Sequence, residues 1–170
     1  MSADEAVEWY ELEAKSSAKE LWAVVKWEGQ GDVGPWLLPD GREILDLVAT
    51  GDVDQLGFPI WFEPYQSYRH AGDLIWTTAW MKLASQRLVD VLRSIGATGF
   101  QTYDANLRTK KGEPIPGFVG LGVNSSSEVT DLSNQYPAPT FSFRARPHVV
   151  EALRAADVTD LKIKPWRRED

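Results

Sequence analysis

The sequence predicts an α+β domain with a mixed, largely antiparallel sheet and two helices of about ten to twelve residues packed on it. Residues 85–100 read as a complete helix-to-strand unit, residues 148–163 repeat that unit, and the remaining apolar runs are short, aromatic and bounded by Gly or Pro.

In the first unit Leu88, Leu92 and Ile95 fall at i, i+4 and i+7 on one helical stripe, while Arg87, Asp90, Arg93 and Ser94 keep the far side polar. Ser85 is placed to cap the helix start, since its hydroxyl can accept from an orphan backbone amide. Gly96 is placed to stop the helix in the left-handed conformation, and Gly99 releases the chain into an extended segment, Phe100 to Tyr103. Sixty-one residues later Val150, Leu153, Arg154 and Thr159 repeat Val89, Leu92, Arg93 and Thr98. Val149, Leu153 and Ala156 take the places of the stripe, and Pro147 stands at a tolerated first-turn position. Asp157 replaces Gly96, and Asp enters left-handed backbone more readily than most residues. Four identities in sixteen positions fit a duplicated unit and also fit two unrelated amphipathic helices, so the sequence leaves both open.

The other elements follow in order. Residues 7–13 alternate acidic and apolar side chains and 21–27 are β-branched and aromatic, so both read as strands. Residues 31–41 are a Gly-Pro loop, 43–48 fit one helical turn or a strand, and the two prolines in 57–64 exclude a central strand and leave an edge strand or an extended cover segment. A polar connection, 65–72, leads to a strand at 73–80 that runs into the first helix. A turn at 109–117 precedes a glycine-spaced strand at 118–123, and 124–135 read as a polar loop. Residues 140–144 alternate and feed the second helix, after which 161–166 close the domain and 167–170 form a short tail. The 170 residues are expected to form a single domain, with a Trp-rich acidic strand and loop part at 1–72 and two strand-helix-strand units at 73–170.

The first third holds the acidic excess: residues 1–60 carry thirteen Asp and Glu against four Lys and Arg, in a chain of net charge -7. Such a field repels nucleic acid and anionic membrane and steers a basic partner inward. The eight tryptophans serve cores and interfaces equally, and Trp36 is singled out because it sits in a turn-rich loop near carboxylates. The candidate partner-binding residues are therefore Asp32, Trp36, Asp40, Glu43, Asp52 and Asp54. With no cysteine, two histidines, and neither a Walker loop nor a GxSxG motif, no catalytic residues, metal or cofactor are expected. The alternative is a small-ligand or carbohydrate-binding domain, or an enzyme, with a Trp- and Tyr-lined cleft at Tyr65, Tyr68 and His70. Arg108, Lys110 and Lys111 make a basic turn suited to a phosphate or an acidic surface, although such charges are usually just solvated. The acidic N-terminus lacks the basic start of a signal peptide, and a cytoplasmic location is expected.

Asp73-Leu74-Ile75-Trp76, the helix from Ser85 to Ile95, Gly99-Phe100 with its strand, and Gly112-Glu113-Pro114-Ile115 running on to Val119 carry a further signal. Over residues 73–123, and again over 140–166, the chain resembles a bacterial immunity-protein family associated with polymorphic toxin systems. That resemblance implies a protein that binds and neutralises a cognate toxin, with no catalysis and no cofactor. The acidic first third suits a basic toxin.

Overall fold

Residues 86 to 94 and 147 to 155 form two nine-residue helices whose starts and ends are both offset by 61 positions. They lie in a computed structural model that describes residues 7–30, 36–77, 81–123, 127–134 and 142–167. Its elements run β1 (Tyr10–Glu13), β2 (Trp22–Trp27), α1 (Ile44–Thr50), β3 (Ile60–Pro64), β4 (Leu74–Thr77), β5 (Lys82–Ser85), α2 (Gln86–Ser94), β6 (Phe100–Tyr103), β7 (Phe118–Val123), β8 (Leu132–Ser133), β9 (Phe143–Ala145), α3 (Pro147–Ala155) and β10 (Lys162–Pro165). The fold is α+β, as expected, with largely antiparallel pairing and one parallel contact between β2 and β4.

Three differences from the sequence reading concern elements. The ambiguous run at 43–48 is the helix α1, short because Gly51 ends it at φ +85°. The strand expected to run straight into the first helix is instead a hairpin, β4 and β5, and the loop at 124–135 contains β8. Each repeat helix buries three side chains, Leu88, Val89 and Leu92 in α2 and Val149, Val150 and Leu153 in α3. Ile95, expected on the stripe, lies past the last helical turn and is 38% exposed.

The repeat extends beyond the helices. β6-β7-β5-β4 and β10-β1-β9-β8 have the same order and the same antiparallel pairing, so β1 at the N-terminal end fills in the second unit the place that β7 fills in the first. Gly96 at φ +64° and Asp157 at φ +56° end the two helices alike. The next residues close the turns with matching bonds, Ala97 N–H to the Leu92 carbonyl at 2.9 Å and Val158 N–H to the Leu153 carbonyl at 2.9 Å. Two aspartates then lock the units together reciprocally. Asp73, before β4, accepts from the Asp160 amide in the loop after α3, whereas Asp131, before β8, accepts from the Thr98 amide in the loop after α2. Each is also gripped by its own helix, Asp73 by Arg87 at 2.7 Å and Asp131 by His148 at 3.0 Å, and Arg87 and His148 are sixty-one residues apart.

The six-stranded sheet, β3-β2-β4-β5-β7-β6, curls on itself. Leu107 pairs in parallel with Phe62 of β3, although it lies four residues beyond Tyr103, the end of β6 at the opposite edge. Four residues span at most about 14 Å, while the edges of six flat strands stand roughly 24 Å apart. The inward side chains, among them Ala23, Val25, Trp27, Phe62, Ile75, Leu83 and Leu107, form one core with Ile44, Val48 and Ala49 of α1. The outward residues Leu74, Ala84, Leu121 and Val123 join the two repeat helices and the other sheet in a second core. The period of two along each strand sorts its side chains between these cores.

This sorting explains the glycine spacing of β7. Val119, Leu121 and Val123 face the second core, and the glycines between them face elements that come too close for a side chain. A Cβ on Gly120 would lie 2.1 Å from the Tyr103 ring. At Gly122 it would lie 2.2 Å from the Thr50 carbonyl oxygen at the end of α1. That obstacle is backbone and cannot swing aside, so Gly122→Ala will lift α1 from the sheet and cost about 2 kcal/mol or more, read as a lowered urea midpoint.

Candidate functional site

The acidic residues singled out in the sequence gather around α1, at the end of the curled sheet where Trp27 pairs with Ile60. A turn closed by Leu38 N–H on the Arg42 carbonyl at 2.8 Å projects Asp40. Glu43 then stands at the extended helix start, Asp46 on the outer side of the first turn and Asp54 in a short 3-10 turn, Val53–Gln55. Asp40, Glu43, Asp46 and Asp54 are all exposed. Arg42, the basic residue among them, gives its Nε to Asp40 at 2.8 Å and its Nη1 to Gln55 at 2.6 Å. The Arg42 backbone amide, with its guanidinium, holds the Asp40 carboxyl below the ordinary carboxylate range.

Apolar surface sits beside this acid. Trp36 is half-buried, its ring edge-on to Trp27 at 5.8 Å, and Leu37 next to it is 47% exposed. Asp52 has a different task. It accepts from Thr50 Oγ1 at 2.7 Å and from Gln101 Nε2 at 2.9 Å, and Gln101 also bonds the Thr50 carbonyl, so Asp52 pins the end of α1 to β6. Asp32 lies outside the described residues. Asp46 was missed in the sequence because its exposure follows from the side of α1 that packs, which 43–48 alone left undecided, and Leu37 because its exposure follows from its bridge to Glu43.

The alternative trio is dispersed. Tyr65 packs edge-on against Trp22 at 5.8 Å and is 54% exposed. Tyr68 lines a shallow, open depression of about 350 Å³ with Pro64, Gln66, Ser67, Thr109 and Lys110, and neither a tryptophan nor His70 is part of that wall. His70 turns its Nε2 to Asp160 at 2.5 Å and lies 4.0 Å from Glu20. Lys15 donates to the other oxygen of Asp160 at 2.9 Å. Burial opposes ionisation of Asp160, but the bonds from Lys15 and His70 outweigh it and lower its pKa.

Asp73 is the buried centre next to this cluster. It is 1% exposed and accepts from Ser85 Oγ at 2.6 Å, from Nε and Nη2 of Arg87 at 2.7 Å each, and from the Asp160 amide at 3.1 Å. Ser85 in turn accepts from the Leu88 amide at 3.2 Å, which is the N-cap expected from sequence. Among the described residues no group of three or more His, Asp or Glu is placed to hold a metal ion, and no helix is long and apolar enough to cross a membrane.

The fold and this surface define an α+β domain of two equivalent units, with a curled sheet that carries an acidic, partly apolar end. No family model matches the chain, and no curated protein matches it.

Proposed function

We propose that this protein binds another protein without catalysing a reaction, and that it acts as an immunity protein neutralising a basic bacterial toxin in the cytoplasm. The observation that supports this reading is the end of the sheet built by α1. Four exposed carboxylates, Asp40, Glu43, Asp46 and Asp54, lie on and next to α1, with the exposed Leu37 and half-buried Trp36 beside them in the chain. Apolar surface beside mainly acidic charge, with Arg42 as its single base, suits an interface in which charge speeds encounter and apolar contact holds the complex.

The toxin to test is the product of the reading frame next to this gene. Co-expression is expected to rescue growth, and replacing Asp40, Glu43, Asp46 and Asp54 together by Lys should slow association about tenfold or more at low salt. The same replacement should flatten the dependence of the association rate on ionic strength. Association that is equally fast in the variant rejects the acidic end as the interface, and growth without rescue rejects the toxin. Asp52 is left out of the set because its replacement would unpin α1.

A further inference from the structure

The end of the curled sheet opposite α1 carries the other sign of charge. β2 and β3 pair from Trp27 and Ile60 at the α1 end to Ala23 and Pro64 at the far end, and the parallel bridge of Leu107 to Phe62 sends residues 108–111 toward that far end. The 67–70 segment reaches it too, through bonds from the Arg69 and His70 amides to the Lys19 carbonyl at 2.9 and 3.1 Å. Lys19, Arg69, Lys110 and Lys111 are exposed there. Among the described residues none of these four has a carboxylate within 4 Å, while Lys15 beside them is taken by Asp160. Arg108 lies over the Trp61 ring at 4.3 Å. Glu20 is turned toward His70, Glu63 accepts from Trp61 Nε1 at 3.2 Å, and the exposed Glu113 closes the turn through its amide on Thr109 Oγ1 at 3.1 Å.

Between the two basic segments lies the open depression, with the Lys110 ammonium, the Ser67 and Thr109 hydroxyls and the Gln66 amide as donors, and Tyr68 and Pro64 as apolar wall. The geometry points to this depression as a docking site for an acidic segment of a partner protein. A short run of Asp or Glu would place its carboxylates against Lys110, Lys111 and Arg69 and its stems against Tyr68. A protein segment fits better than nucleic acid, because a chain of net charge -7 repels a dense polyanion along its length but admits a few carboxylates at a basic end. The site is separate from α1 and does not rest on the toxin reading.

The test is a titration of isotope-labelled protein with hexaglutamate, with inorganic phosphate and with a short single-stranded oligothymidylate, followed by amide chemical shifts. Hexaglutamate should shift amides of residues 65–70 and 108–112. Its affinity should fall about tenfold in Lys110→Glu/Lys111→Glu and with rising salt, and stay unchanged in Asp54→Lys. The proposal is overturned by shifts elsewhere or none, by equal affinity in the lysine variant, or by tighter binding of phosphate or oligothymidylate. Self-association that the lysine variant abolishes also overturns it, since the occupant would then be a second copy presenting its own acidic end.

Discussion

Raising the pH from 7 toward 10 will stabilise this protein, and the side chain responsible is Lys82. Lys82 stands in β5 between Met81 and Leu83, is 5% exposed, and borders a small enclosed space with Leu74, Ile75, Trp76 and Thr77. Burial disfavours its charged form and lowers its pKa to about 7. In the unfolded chain the same ammonium titrates near 10.4. Below pH 7 both states are protonated, and folding moves that charge out of water. Between these values the unfolded chain binds more protons than the folded one, so stability rises with pH, by on the order of 4 kcal/mol over the whole window.

Tyr103 sets the upper limit. Its buried hydroxyl has a pKa pushed well up by burial, so it keeps its proton where the unfolded tyrosine, near 10, loses it, and stability falls again above that pH. Urea midpoints measured from pH 6 to 11 should therefore peak at about pH 10. Lys82→Met should show no rise toward the peak. A natural chain whose midpoint is flat over the same range would refute the assignment.

Asp73→Ala is expected to cost about 2 to 3 kcal/mol, the range for losing charge-assisted hydrogen bonds, because the Arg87 left behind is 58% exposed and stays solvated. The carboxylate serves Ser85, Arg87 and the Asp160 amide together, so its loss strips the support from one helix cap and the anchor from the loop after α3. Ser85→Ala removes the cap alone and should cost about 1 kcal/mol. Denaturant unfolding of the two variants separates these readings: Asp73→Ala no worse than Ser85→Ala would mean that the reciprocal lock between the units contributes little. A double-mutant cycle with Arg87→Ala should give a coupling of about 1 to 3 kcal/mol, as contacting residues do.

None of this weight was visible in the sequence at Asp73 or Lys82. Asp73 read as the polar start of a strand, and Lys82 lay between that strand and the helix with no role assigned to it. Their roles come from partners distant in sequence, Asp160 for the one and the packed faces of β4 and β7 for the other. The candidate site divides in the same way. The acidic character of residues 40–54 is a property of composition, but Asp52 as a pin and Asp54 as free surface differ only because Gln101 of β6 lies within reach of the first. Tyr65, Tyr68 and His70 looked like a cleft because they are neighbours in the chain, and their side chains turn to three different surroundings.

By itself the sequence determined the fold class, the two repeat helices, the Ser85 cap, the left-handed stops at Gly96 and Asp157, and most of the strands. These depend on interactions within a few residues, a hydroxyl and an amide three positions on, a stripe of period 3.6, a backbone angle that Gly or Asp tolerates. Tertiary structure alone decided that β1 completes the second unit, that the six-stranded sheet curls, that α1 is a helix and that the charges separate to opposite ends. Strand pairing joins segments up to the length of the chain apart, and which side chains remain exposed follows only after those pairings exist.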